Sequence, residues 1–162
     1  MTASPGIPSA LARLGRLSGR DRLLLAEALL ALASARFALR TLPFKTVADR
    51  AARPPARRTP SDPEADILRT RWAIRAAARR VPFRAMCLEQ GLAACALLGR
   101  RGIGCTLYYG VRRSPDAGLQ AHLWVRAGER DVIGTEGLEA FSLLAAYGPR
   151  SDREPDAKPR SR

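Results

Sequence analysis

The order of the patterns along this chain predicts an α+β fold, with helices first and a small antiparallel sheet after them. Three observations support this prediction. Apolar residues recur at helical spacing, with helix caps, between residues 19 and 100. After Gly102 and Gly104 the pattern changes to short β-prone segments that turn sequences separate. The 162 residues are enough for one sizeable hydrophobic core.

The first predicted helix spans about residues 19–42. Ser18, with Asp21 three residues later, has the spacing of a capping box, and Pro43 ends the helix. The apolar run over residues 23–44 is about long enough to cross a bilayer, but it is interrupted by Glu27, Arg36 and Arg40. We therefore predict a water-soluble helix that docks on the domain or on a partner, and we leave a peripheral membrane contact open.

Two more helices follow a Pro- and Arg-rich linker at residues 53–60. Residues 62–64, Asp-Pro-Glu, combine a cap, a proline at the first helical position and an acid in the first turn. They predict a helix to about residue 80. Its buried side is approximated by Ile67, Trp72, Ile74 and Ala78. A break at residues 81–83 separates it from a third helix, which starts at residue 84 or 86 and ends at residue 100.

Short strands are predicted at residues 105–112, 120–127 and 130–133. The first ends in a turn at residues 114–118, and the tight turn Gly128-Glu129 joins the other two as a hairpin. Residues 138–147 predict a short final helix. We thus expect an N-terminal part with the first helix and the linker (residues 1–60), a catalytic core (residues 61–150) and a charged, disordered tail (residues 151–162).

The chain is strongly basic, with a formal net charge of +13 from 28 Lys and Arg against 15 Asp and Glu. This charge suits an acidic partner such as a peptide, a nucleic acid or an anionic membrane face. However, the basic residues are nearly all arginine, scattered along the chain without interleaved aromatic residues, which is also typical of a GC-rich genome. We therefore predict no nucleic-acid partner, and a non-enzymatic basic binding module is the weakest alternative.

Three cysteines without CxxC spacing argue against a disulfide framework or a zinc site. The first residues lack the apolar stretch of a secretory signal, so the expected compartment is the cytoplasm. We predict neither a metal nor a cofactor.

Cys87 and His122 are the residues that could carry covalent chemistry. Cys87 lies at the start of the third helix, where unpaired N–H groups and the helix dipole stabilise a thiolate. The alternative for any cysteine is a small buried hydrophobe, which fits Cys95 and Cys105. His122 is the single histidine, at the head of a strand and on the same face as Trp124. Any Cys–His chemistry must use it, as the base that takes the thiol proton.

Five blocks of sequence carry a resemblance to a known family. They are RLLLAEALLALASARFALRTLPF (22–44), RTRWAIRAAARRVPFRAMCLEQ (69–90), MCLEQGLAACALLGRRG (86–102), LYYGVRR (107–113) and AHLWVRAGERDVIG (121–134). In this order and spacing they resemble the lasso-peptide leader peptidases, the microcin-processing B proteins, over about residues 17–147. The resemblance implies a transglutaminase-like, papain-like cysteine peptidase core.

The resemblance implies Cys87 as nucleophile and His122 as base. The family has an Asp after the strand that follows the histidine, whereas this chain has IGTEG at residues 133–137. The orienting role therefore falls to Glu136, to a backbone carbonyl or to nothing, since Asp131 precedes the strand end and suits a solvated turn.

The resemblance also implies a function and partners. The expected function is removal of the leader from a lasso-peptide precursor, by the stand-alone peptidase of a split system. The expected partners are that precursor, a small leader-binding protein and an ATP-dependent macrolactam synthetase. An acyltransferase or amidase that uses the same Cys–His pair is the main alternative.

Overall fold

The computed structural model describes residues 17–53, 59–114, 116 and 118–149. Within these residues, four helices precede a four-stranded sheet. The helices are α1 (Gly19–Thr41), α2 (Phe44–Ala51), α3 (Pro63–Ala78) and α4 (Cys87–Arg100). The strands are β1 (Thr106–Ser114), β2 (Gly118–Ala127), β3 (Arg130–Ile133) and β4 (Ser142–Tyr147). A 3₁₀ turn, Leu138–Ala140, precedes β4. The α+β prediction is confirmed.

Helix α1 begins as its sequence predicts, because the Ser18 hydroxyl accepts a hydrogen bond from the Asp21 N–H at 3.1 Å. Its inner face packs on α3 and α4 through Leu24, Leu25, Ala28, Ala31, Leu32 and Ala35. Three large apolar side chains on the helix stay exposed, namely Leu23, Leu30 and Phe37. Among the described residues, no helix is both long and apolar enough to cross a membrane. Pro43 ends α1 and begins α2, a helix that the sequence patterns do not reveal.

The start of α3 is also confirmed, since the Asp62 carboxylate accepts a hydrogen bond from the Ala65 N–H and Pro63 occupies the first turn. Ile67 and Ile74 are buried as predicted, but Trp72 is 37% exposed. The buried side instead includes Thr70, Ala73 and Ala77. Small residues line this side because α1 and α4 both pack against α3.

The sheet is antiparallel in the order β3-β2-β1-β4. Strands β1 and β2 are neighbours, with Ser114 opposite Gly118, and the β2–β3 hairpin is confirmed. Two residues of the turn predicted at 114–118 lie outside the described residues. The final helix predicted at residues 138–147 is wrong: after the 3₁₀ turn, β4 pairs with the free edge of β1. The backbone hydrogen bonds of that edge outweigh the modest helical preference of the Leu- and Ala-rich segment.

Helix α4 lies across one face of the sheet. Gly91 permits this close approach, because a Cβ there would meet the side chains of Leu123, Val125 and Leu107. The core draws side chains from both sides of residue 60, and the division predicted there stays a prediction. Most of the predicted linker and the predicted disordered tail lie outside the described residues.

Candidate active site

The three residues predicted for catalysis line one small cavity of about 200 Å³. Cys87 is the first residue of α4, His122 lies on β2, and Glu136 follows β3. The remaining walls are formed by Arg75, Gln90, Leu123, Ile133 and Gly134. The cavity thus lies where the N-terminus of α4 meets the end of β3.

The N-terminus of α4 is held by a buried carboxylate. Glu89 is 2% exposed, and its Oε2 accepts a hydrogen bond from the Met86 N–H at 3.0 Å. Its Oε1 accepts one from Arg36 of α1 at 2.8 Å. The first helical bond runs from the Gln90 N–H to the Met86 carbonyl, so the N–H groups of Cys87 and Leu88 precede the ladder. Such N–H groups are suitable donors to an oxyanion.

The segment before Cys87 is also tied down. The side-chain amide of Gln90 donates to the Ala85 carbonyl at 2.8 Å, and the Arg36 guanidinium lies over the Phe83 ring. Gln90 is one helical turn after Cys87, so both side chains reach the same cavity. Neither Gln90 nor Glu89 stands out in the sequence, because the cap residue is Met86 rather than Ser, Thr, Asp or Asn.

The His122 imidazole has its partner in the backbone. Its Nε2 lies 2.7 Å from the Gly134 carbonyl oxygen. Because a carbonyl only accepts, Nε2 carries the proton, and in the neutral ring Nδ1 is the nitrogen with a lone pair. The ring packs against Trp124, as its position on the strand predicts, and against Phe141 at 5.1 Å between centroids. Tyr108 in turn stacks on Trp124.

Gly134 can place its carbonyl there because it lacks a side chain. Its φ is +72°, in the left-handed region that favours glycine. A Cβ would lie 2.6 Å from the Leu123 carbonyl oxygen, too close for any other residue. The carbonyl that fixes the imidazole therefore depends on a glycine.

Glu136 lies at the cavity rim and pairs with two arginines. Its Oε1 is 2.5 Å from Arg75 and 3.6 Å from Arg71, and its side chain is 65% exposed. A hydrogen bond from its own backbone N–H, the bond from Arg75 and the charges of both arginines lower the pKa of the Glu136 carboxyl. Asp131, the other acid considered from the sequence, pairs with Arg126 at 2.8 Å. In the described residues, the hydrogen bond of the imidazole goes to Gly134 and to neither carboxylate.

Cys87 and His122 share the cavity without touching through a hydrogen bond. Helix α4 covers the face of the sheet that carries Leu123. The His122 side chain lies on the opposite face, next to Trp124, and lines the cavity at the end of β3. Within the described ranges no hydrogen bond joins the Cys87 Sγ to the ring. Catalytic hydrogen bonds are often long before substrate binds, so the lack of this bond does not exclude a catalytic pair.

The other two cysteines lie in the core. Cys95 and Cys105 are buried, and all three thiols are free. Burial, with a smaller contribution from the nearby Cys105, raises the pKa of the Cys95 thiol well above its usual value. These two residues are core side chains, as their sequence positions predict.

The family model described as the transglutaminase-like superfamily matches residues 29–146. No curated protein and no solved structure matches the chain significantly.

Proposed function

The chain belongs to the transglutaminase-like superfamily, and from that premise we propose that it is a cysteine peptidase that removes the leader from a lasso-peptide precursor. Membership indicates acyl chemistry on a cysteine, either hydrolysis of a peptide bond or transfer of the acyl group. The choice of hydrolysis and of the precursor rests on the five blocks of sequence that resemble the leader peptidases.

One observation supports the chemistry most directly: Cys87 and the single histidine line the same small cavity, and the histidine tautomer is set by Gly134. With Nε2–H bonded to the carbonyl, Nδ1 has the lone pair that can take the thiol proton. A rotation of the Cys87 side chain on substrate binding would close the pair and leave the bond from His122 to Gly134 in place. The Gly134 carbonyl orients the imidazole, and Glu136 pairs with Arg75 and Arg71 at the cavity rim.

The proposed reaction proceeds in two steps. Nδ1 of His122 takes the Cys87 proton, and the thiolate attacks the carbonyl carbon at the leader–core junction. The N–H groups of Cys87 and Leu88 stabilise the oxyanion, and the imidazolium gives its proton to the leaving amine as the C–N bond breaks. A water molecule then attacks the thioester with His122 as base. The products are a leader with a free carboxylate and a core peptide with a free amine, the substrate of the synthetase.

The test is cleavage of the precursor in the presence of the leader-binding protein and the synthetase, followed by mass spectrometry. Cys87→Ala and His122→Ala are expected to abolish cleavage, whereas Cys95→Ala is expected to retain it. A leader with a free carboxylate supports hydrolysis, and a new amide identifies acyl transfer instead. Cleavage by Cys87→Ala at the wild-type rate would refute the assignment.

The small leader-binding protein has a suitable docking surface on α1. Leu23, Leu30 and Phe37 are exposed at seven-residue spacing, with Ala26 and Ala33 between them on the same stripe. We call this row the α1 stripe and place the partner helix or strand there. Large contiguous apolar patches on a protein surface mark interaction sites, and the α1 stripe is apolar along its whole length.

This docking proposal has a matched control. Leu30 and Leu119 are both 70% exposed, but Leu119 lies at the start of β2, away from the α1 stripe. Leu30→Glu is expected to lower the cleavage rate in the assay with the leader-binding protein, whereas Leu119→Glu is not. Both variants should keep the circular dichroism spectrum of the wild type. Equal rates for the two variants would remove the α1 stripe from the proposal.

A further inference from the structure

A second cavity, of about 590 Å³, lies on the other flank of the α4 N-terminus. We call it the aromatic groove. Its walls include Phe44, Tyr109 and Tyr147, with the Phe44 ring centroid 5.7 Å from each tyrosine. Leu88, the residue after Cys87, lines it as well. Its volume falls in the range of about 300–1,000 Å³ that is typical of ligand sites.

The aromatic groove adjoins the candidate active site at the start of α4, where consecutive residues line the two cavities. Cys87 and Gln90 line one cavity, and Leu88 and Glu89 line the other. On the sheet below, Tyr109 of the groove is directly opposite Leu123 of the Cys87 cavity. Side chains opposite each other on neighbouring strands lie about 5 Å apart. Because an extended peptide advances about 3.3 Å per residue, its first three residues beyond Cys87 cover about 10 Å, roughly twice the spacing of these two side chains.

The chemistry fixes which side of the scissile bond reaches the groove. His122 must protonate the leaving amine, so the amine side of the substrate runs past His122 and β3. The acyl side then leaves Cys87 in the opposite direction, over Leu88. The aromatic groove therefore faces the part of the substrate that becomes the thioester.

Two arginines line the groove, and they differ in whether a carboxylate pairs with them. Arg36 is paired with the buried Glu89 at 2.8 Å. Arg40 is exposed one turn further along α1, and in the part of the chain that the structure describes it has no ion pair. The groove thus combines an apolar interior with one uncompensated cation at its edge.

We infer that the aromatic groove is a substrate-specificity site for a bulky apolar side chain one to three residues on the acyl side of the scissile bond, with Arg40 beside it recognising an acidic neighbour. The inference rests on the proposed peptidase function and names the substrate class: an extended peptide that has a large aliphatic or aromatic residue next to an Asp or Glu. The apolar side chain leaves water on entering the groove, and the carboxylate pairs with the guanidinium.

The experiment measures alkylation of Cys87 in the full chain by peptidyl chloromethyl ketones, using intact mass. The Cys87 sulfur forms a C–S bond as the C–Cl bond breaks and chloride leaves. Each probe has three residues on its acyl side, with one Phe at the first, second or third position and Ala elsewhere. At one position Phe is expected to raise the second-order rate constant about tenfold or more over Ala. Tyr147→Ala is expected to reduce that gain to about twofold.

The role of Arg40 is tested by reversing the charge of the probe and the charge of residue 40. Probes with Asp beside the preferred Phe should react faster with the wild type than probes with Lys, by about fivefold. Arg40→Glu should invert that preference. The matched control is Arg69→Glu, another exposed helical arginine outside both cavities, which should keep the wild-type preference. Arg40 is on the surface, so this arm decides the question even if Tyr147→Ala fails to fold.

Iodoacetamide separates failure of the inference from failure of the proposed function, because it is too small to use the groove. Rapid modification of Cys87 by iodoacetamide, with Phe probes at all three positions within about twofold of Ala, would overturn the specificity site and leave the peptidase intact. An unchanged Asp preference in Arg40→Glu would overturn the role of Arg40. A Cys87 that reacts no faster than glutathione would contradict the activated nucleophile on which both rest.

Discussion

The N-terminal end and the middle of helix α4 place the same residue type in two different environments. Cys87 is the first residue of the helix, half-buried at the edge of a cavity and close to unpaired N–H groups. Cys95, two turns later, is 1% exposed in the core, and burial raises its pKa. The same residue type therefore lies beside a cavity at one position of the helix and in the apolar core at the other.

The largest expected effect tests this comparison directly. Under native conditions at pH 7.5, iodoacetamide should modify Cys87 at least about a thousandfold faster than Cys95 or Cys105, because the buried thiols react only after the core opens. The raised pKa of Cys95 acts in the same direction, since it lowers the thiolate fraction at neutral pH. Peptide mapping at successive times measures the three rates. Labelling of Cys95 as fast as Cys87 would show that the core is open.

A second prediction compares two Arg–Glu pairs near the same helix end. Arg36→Ala leaves the buried Glu89 charge without its partner, and the free energy of unfolding should fall by about 2–3 kcal/mol. Arg75→Ala removes a partner of Glu136, which is 65% exposed, and should cost less than about 1 kcal/mol. Urea denaturation gives both values. Equal losses would mean that water reaches Glu89 in solution.

Two glycines in α4 compare the part of the helix that packs on the sheet with its C-terminal end. A Cβ at Gly91 would meet Leu123, so Gly91→Ala should destabilise the fold by about 1–3 kcal/mol despite the better helix propensity of alanine. At Gly99 nothing lies within 4 Å, so Gly99→Ala should stabilise it by up to about 1 kcal/mol. Thermal unfolding of both variants would show opposite shifts in Tm. Shifts of the same sign would contradict the packing of α4 on the sheet.

The smallest expected effect concerns pH. The pKa of Glu136 is lowered in the fold by a hydrogen bond from its own backbone N–H and by Arg75. The ionised carboxylate therefore stabilises the protein above the usual Glu pKa of about 4.3, and this contribution is lost as pH falls through the lowered value. Glu136→Gln should therefore lower the free energy of unfolding by less than about 1 kcal/mol at pH 7. It should leave the free energy of unfolding unchanged at acidic pH, where Glu136 is protonated. Urea denaturation at a series of pH values checks this. A constant difference from pH 7 to pH 2 would assign the loss to packing.

The sequence predicted the parts of the fold that depend on interactions between residues close together in the chain. The caps at Ser18 and Asp62 and the hairpin turn at Gly128 each depend on residues within a few positions of one another. Strand β4 was missed because its partner, the edge of β1, is far away in the sequence. Trp72 was placed on the buried side of α3 because helical periodicity cannot tell which of two neighbouring faces meets α1 and α4.

The candidate active site also contains residues that the sequence predicted and residues that it did not. The start of α4 and the lone histidine single out Cys87 and His122, and the structure brings both to one cavity. No pattern in the sequence reveals the pairing of Glu89 with Arg36, since the two are on different helices. The partner of the imidazole could not be chosen from the sequence either, because a carboxylate and a backbone carbonyl can fill the same role.

The use of a backbone carbonyl beside the imidazole affects how members of this superfamily are recognised from their sequences. Every residue has a carbonyl, so a substitution that removes a carboxylate after β3 leaves a chain able to steady its imidazole through Gly134. Searches that demand an acid in third place would discard chains of this kind as inactive. A better filter would ask for a glycine that turns its backbone towards the ring.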